Sequence, residues 1–241
     1  MGVIARGRAS AAGLVADWLF TDRHGGESAA PYDSLNLGLS VGDDPDAVRR
    51  NRKTAASYLG AELLATMHQV HGCAVAELIA PADPPPQVDA VTTTAVGLPL
   101  VVQVADCVPL LLADLEGGRV AAVHAGWRGV AAGVVGATIE AMRPVGVVQA
   151  WAGPAICPGC YEVSAEVRSQ AADAVPEAAA TTRAGTPAID LRRAVVAQCA
   201  AQGVECAVVG GCTWESPDLF SYRRDAVTGR QAGLIVLRGG S

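Results

Sequence analysis

The stretch GLPLVVQVADCVPLLLADL, residues 97–115, constrains the fold more than any other part of the chain. It is almost wholly apolar, but it carries Gln103, Asp106 and two prolines, which a membrane span would have to hold unsatisfied in hydrocarbon. It reads instead as two strands buried on both faces, 98–105 and 108–115. DAVTTT (89–94) precedes them and RVAAVHA (119–125) follows, with Gly117 and Gly118 making the last turn. A run of such strands needs covering on both sides. In 241 residues, 51% of them hydrophobic and 17% charged, the chain can supply that cover as a single globular domain.

Helical cover is punctuated clearly. In DDPDAVRRNRKTAASYLG, Asp44 caps, Pro45 occupies the first turn and Gly60 stops the helix. Residues 128–143 and 161–175 read as helices, and another runs from a cap at Asp190 to about Gln202, with Gly203 as its stop. Strands are expected at 70–79, 147–156 and 204–211, and a terminal hairpin at 220–237 turning near Thr228-Gly229. PADPPPQ (81–87) excludes regular structure, and PEAAATTRAGTP (176–187) reads as a surface loop. Residues 20–44 form a long polar, glycine-rich loop of the kind that usually carries function. Strands and helices intermix without a strict βαβ rhythm. The expected class is therefore α+β: mixed β-sheets flanked by helices in one layered domain, 1–241.

Net charge of −6 argues against a protein that tracks nucleic-acid phosphates. The N-terminal run is broken by Asp17 before it reaches signal-peptide length. Seven cysteines at irregular spacing, in a chain too large to need disulfide staples, point to a reducing cytoplasm.

Chemistry concentrates around four histidines, His24, His68, His71 and His124, and one cysteine. Cys107 sits where an apolar strand is interrupted by an acid, a thiol and a proline, and a buried acid there needs partners. His71, Cys107 and His124 together offer two imidazoles and a thiolate, the set of an open three-ligand zinc site. The same residues also fit a Cys-His nucleophile pair, or a satisfied core thiol beside two loop histidines. CPGC at Cys157–Cys160 has redox-dithiol spacing without a thioredoxin-like setting. Cys73, Cys199, Cys206 and Cys212 read as buried apolar fillers.

RHGGESAAPYDSLNLGLSVGDDP, NR at Asn51-Arg52, QVHG, ADCVPLLL, HAGWRG, GPAI, YEV and FSYRRDAVTGR, in this order, span nearly the whole chain. In these motifs it resembles the YfiH-type laccase-domain family, also described as peptidoglycan-editing factors and purine nucleoside phosphorylases. The resemblance implies metal ligands at His71, Cys107 and His124, and leaves His68 outside the ligand set. It implies phosphorolysis of adenosine, inosine or methylthioadenosine, and deamination of adenosine, with zinc as cofactor and copper able to occupy the same site. Arg23, Arg128 and Arg223 fall at matching positions for phosphate, while Ser34, Asn36 and Gln69 are candidates to read ribose or base. Zinc deaminases carry a Glu in HxE as proton carrier, whereas this chain has HGC and HAG. Asp106 and Glu162 are the candidates in its place, beside Cys107. Four histidines cannot furnish both a blue-copper centre and the separate copper cluster of a multicopper laccase. Two alternatives stay open: a Cys107-His124 hydrolase or editing factor acting on peptidoglycan precursors, with a cell-wall link, and a non-catalytic zinc-stabilised binding protein.

Overall fold

A computed structural model describes residues 2–240. In chain order the elements are β1 (Val3–Ala11), β2 (Leu14–Thr21), α1 (Pro45–Ser57), β3 (Val75–Glu77), β4 (Ala90–Thr93), β5 (Leu100–Val104), β6 (Val108–Asp114) and β7 (Arg119–Ala125). Then follow α2 (Trp127–Ala131), α3 (Val134–Met142), β8 (Val148–Ala152), α4 (Ala165–Ala174), β9 (Ala179–Thr181), β10 (Pro187–Ile189), α5 (Leu191–Ala201), β11 (Glu205–Val208), α6 (Tyr222–Asp225) and β12 (Gln231–Gly239). They build a six-stranded mixed sheet, β11-β8-β6-β7-β4-β3, a four-stranded antiparallel sheet, β1-β2-β12-β5, and a small β9-β10 hairpin.

Side-chain alternation explains how the layers stack, because successive strand residues point to opposite faces. On β6, Leu110 and Leu112 pack with Val130, Ile139 and Val195 from the helices on one side. Leu111 and Ala113 face Trp18, Phe20, Val102 and Ile235 of the other sheet. On β12, Ile235 and Leu237 join this inter-sheet core, while Leu234 and Val236 meet Ala55 and Leu59 around α1. The order is helix, sheet, sheet, helices. The α+β layered reading therefore holds, and the two apolar strands 98–105 and 108–115 are β5 and β6, split between the two sheets.

Local punctuation behaves as read at several termini. Asp44 accepts from Asp46 N at the start of α1, Asp190 accepts from Arg193 N at the start of α5, and Gly60 and Gly203 turn with positive φ beyond the ends. Other boundaries need correction. The helix expected over 128–143 is two helices, because Gly133 takes a left-handed conformation (φ 82°) between α2 and α3. The helix expected over 161–175 begins only after Ser164, whose Oγ caps Val167 N. The strand expected over 70–79 is confined to Val75–Glu77.

Residues 176–187 are not simply a loop, since they supply β9 and the start of β10. The C-terminal segment is not a hairpin. Its first half contains α6, and β12 runs between β2 and β5, so its partners lie far away in the chain. No helix among the described residues is long and apolar enough to cross a membrane.

Candidate active site and metal centre

His71, Cys107 and His124 come from a loop before β3, the β5–β6 junction and the end of β7. The sheet brings them together: their ligand atoms all lie within 4.8 Å of one another. The two imidazole rings meet edge to face, with centroids 4.7 Å apart. His68 and His24 lie outside this cluster, and His24 Nε2 pairs with Asp218 at 2.9 Å.

Asp89, just before β4, organises the histidines. Its carboxylate is fully buried and accepts from the N–H groups of Val70 (3.2 Å), His71 (2.8 Å) and Gly72 (2.6 Å). His124 Nδ1 donates to the same carboxylate at 2.8 Å, which leaves Nε2 for the cluster. These three amide bonds hold the His71 backbone at φ 63°, a left-handed conformation that a non-glycine residue adopts only under tertiary constraint. Asp89 carries no distinctive sequence signal. It opens a strand as many acids do, and only the fold turns its carboxylate back onto residues 70–72.

Burial pushes the Cys107 thiol up, but the positive field and hydrogen bonds of His124 and His71 outweigh it and bring the thiol down to about 6. Burial likewise opposes charging of His124, whereas Cys107 and Asp89 together raise it to about 9. Both shifts favour a thiolate beside an imidazolium in this pair. Gly126 makes room for it: a Cβ there would lie 3.0 Å from His71 Cδ2 and 3.1 Å from Cys107 Sγ. Two nitrogens and one sulfur, with a carboxylate behind one imidazole, suit a divalent transition metal with an open fourth position.

The cluster opens into a cavity of about 690 Å³. Four arginines line it: Arg52, Arg128, Arg223 and Arg230. Arg128 stacks over Trp127 at 4.6 Å and Arg223 over Tyr161 at 4.9 Å. Burial lowers Arg52 to about 10, which leaves it charged at neutral pH. Burial, with some help from the Cys107 charge, pushes Tyr161 up to about 12, so its phenol remains a proton-bearing donor. Arg52 and Arg230 were legible only as members of the NR and VTGR motifs, without an assigned role.

The remaining sequence candidates are placed differently. Asp106 (φ 97°) accepts from Thr213 Oγ1 (2.6 Å), Ser221 Oγ (2.7 Å) and Arg223 N (2.6 Å). This answers the question of what a buried acid does at this point in the strand: it ties the C-terminal segment beneath the cavity. Glu162 opens toward a neighbouring hollow shared with Cys160 and Arg183, and its carbonyl accepts from Arg223 Nη1. Gln69 lines the cavity, but its side-chain amide is spent on the backbone of Gln103.

Arg23, Ser34 and Asn36 do not line the cavity. Arg23 binds the Asp33 carbonyl and stacks on Phe220. Ser34 bonds Gly26 N and the Arg23 carbonyl. Asn36 is fully buried and bridges Gly38, Asp43 and Arg230 N. These three residues organise the long loop, and through Asn36 they set the backbone of Arg230. Of the four cysteines read as buried fillers, Cys199 and Cys212 are buried, Cys206 is half-buried and Cys73 is exposed. Cys73 lies in the irregular segment before β3.

Residues 17–238 match the family described as multi-copper polyphenol oxidoreductase laccase. The chain is 51% identical over 227 residues to a purine nucleoside phosphorylase of Streptomyces coelicolor, covering 90% of this chain and 94% of the relative. It is 42% identical over 224 residues to the purine nucleoside phosphorylase YfiH of Shigella flexneri, covering 89% and 91%. Among solved structures, YlmD from Geobacillus stearothermophilus superposes with a TM-score of 0.86 at 32% identity, over 99% of this chain and all of the other.

Proposed function

The chain belongs to the family described as multi-copper polyphenol oxidoreductase laccase, and from that premise we propose that it is a zinc-dependent purine nucleoside phosphorylase. Its substrates on this reading are adenosine, inosine and methylthioadenosine, with a slower deamination of adenosine at the same site. One observation carries the proposal: an open His-Cys-His cluster faces a cavity lined by four arginines. The relatives' names add the nucleoside.

Phosphorolysis joins a phosphate oxygen to the ribose anomeric carbon as the bond from that carbon to the purine nitrogen breaks. The arginines would hold the phosphate dianion and offset the charge it brings into a partly closed site. Tyr161, Tyr222 and Trp127 offer aromatic surface for the base at the same wall. Asp106 acts as a positioning residue, because both its oxygens are committed to the segment that carries Arg223. His71, Cys107 and His124 would hold the metal, with Asp89 fixing the tautomer of His124. A bound zinc supplies Lewis-acid polarisation of an oxygen on water or phosphate. Copper would compete for the same donors. A cytoplasmic setting is supported by seven unpaired thiols.

Zinc-loaded protein given adenosine and phosphate should release adenine and ribose-1-phosphate, identified by mass; adenosine without phosphate should slowly give inosine. Arg128→Ala should slow phosphorolysis more than deamination, through a raised KM for phosphate. If fully zinc-loaded protein yields neither product, the nucleoside reading is wrong.

The thiolate–imidazolium–carboxylate line of Cys107, His124 and Asp89 also fits a thiol hydrolase acting on a peptidoglycan amide. Alkylation separates the two readings. A metal-held thiolate is shielded, so iodoacetamide should modify Cys107 slowly in zinc-loaded protein and quickly after chelation. Fast modification of zinc-loaded protein, with activity indifferent to chelator, would favour the hydrolase.

A further inference from the structure

The CPGC segment lies about the 3₁₀ turn at Pro158–Cys160, where Cys160 N bonds the Cys157 carbonyl at 3.0 Å. That turn places both thiols on one side. Opposite them stands Cys212, buried, joined to this strand end by the Ala155–Cys212 bridge and the bond from Thr213 N to the Ala155 carbonyl. Glu215 completes the group one turn later. The three sulfurs and a Glu215 oxygen all lie within 4.8 Å of one another, and Cys160 Sγ is 3.5 Å from Glu215 Oε1. Donors around a tetrahedral zinc, at about 2.3 Å for sulfur, are separated by about 3.8 Å. A contraction of about 1 Å at most therefore closes the cluster onto an ion.

The surroundings match as well. Cys157 N–H donates to Cys212 Sγ at 3.2 Å, which holds that sulfur beside the CPGC turn. Arg183 lies beside both Cys160 Sγ (3.4 Å) and Glu215, so it offsets the surplus negative charge that three thiolates and a carboxylate leave around a divalent ion. Arg183 and Cys160 Sγ both meet the same Glu215 oxygen, Oε1. Nothing in the nucleoside chemistry uses these four side chains.

The geometry points to a second metal site, in which Cys157, Cys160, Cys212 and Glu215 hold a structural zinc ion. Three soft thiolates exclude magnesium and calcium, and four protein ligands leave no open position for substrate. Binding releases the thiol protons. The ion would staple the strand end carrying Tyr161 to the segment 212–224, which carries Thr213, Ser221 and Arg223, the three groups that bond Asp106. Its work is to hold one wall of the cavity. A redox dithiol would use Cys157 and Cys160 alone, leaving Cys212 and Glu215 in contact for no purpose.

The full chain, purified under reducing conditions and titrated with zinc against a chromophoric chelator, should take up two ions. Cys107→Ala should retain one ion, and Cys157→Ala/Cys160→Ala should retain the other. Cobalt added to Cys107→Ala should give intense thiolate charge-transfer absorption in the near ultraviolet, and a further Cys212→Ser substitution should abolish most of it. Glu215→Gln, which changes neither size nor a buried group, guards against misfolding and should weaken only the ion that remains in Cys107→Ala. A single zinc per wild-type chain that is lost in Cys107→Ala would overturn the site. So would a Cys157–Cys160 disulfide found by mass in the reduced preparation. Neither result depends on nucleoside turnover.

Discussion

Replacing Cys107 with alanine is expected to abolish tight binding at the His71–His124 centre and, with it, turnover of nucleosides. Cys107 is the only sulfur among the three donors, and the two imidazoles already hold its thiol down at about 6. That downward shift would lower the deprotonation cost of holding a metal ion there. Removing a partner that merely orients a ligand typically lowers metal affinity roughly 10–100-fold; removing the ligand itself should exceed that. The fold should survive, because the thiol is only half-buried and alanine fits its place. His68→Ala is the matched control. His68 lines the same cavity outside the cluster, so that variant should keep its zinc. Competition titration, alongside circular dichroism of the metal-free proteins, reads both. Wild-type affinity in Cys107→Ala at this centre would refute the ligand assignment.

Asp89→Asn should have the second largest effect, although Asp89 would touch neither metal nor substrate. Oδ1 serves His71 N and His124 Nδ1, and Oδ2 serves Val70 N and Gly72 N. Whichever way an amide is turned, its NH₂ faces donors, so at least two donors lose their acceptor, and in one orientation the buried His124 Nδ1 is among them. A buried unsatisfied group costs about 1–3 kcal/mol, and the left-handed turn at His71 loses the bonds that hold it. Thermal unfolding should fall accordingly. Zinc affinity should drop roughly 10–100-fold, while the cavity arginines keep their places. A variant with unchanged stability and unchanged zinc affinity would show that Asp89 does not position the histidines. Rescue of affinity in Asp89→Glu, even in part, would separate the carboxylate's role from simple packing.

The strands nearest the site were the easiest part of the chain to read. A strand buried on both faces must be apolar along its whole length, so β5, β6 and β7 stand out, and capping residues mark α1 and α5 by local chemistry alone. The N-terminal β1–β2 hairpin was missed. Its turn uses Ala12 at φ 52° before Gly13, and β1 mixes arginine with small residues, because one of its faces lies near solvent. The terminal segment looked like a hairpin because Thr228-Gly229 resembles a local turn. What decided its course was the open hydrogen-bonding edge between β2 and β5, which pairs with β12 from the other end of the chain. Pairing over such distances leaves no trace in a local window.

The same division runs through the site. The sequence by itself determined the composition of the core, the strand-rich centre, and the motifs that put two imidazoles and a thiol, the candidate metal ligands, at His71, Cys107 and His124. Residue type carried that information, since few side chains bind a transition metal. The tertiary structure alone decided that Asp89 would stand behind His124, that Asp106 would anchor the C-terminal segment, and that Arg52 and Arg230 would join Arg128 and Arg223 at one cavity. It also set Cys212 and Glu215 against the CPGC turn. Carboxylates, guanidiniums and a stray thiol have many uses along a chain. Which use each one has depends on the neighbours that folding brings within about 3 Å, the reach of a hydrogen bond.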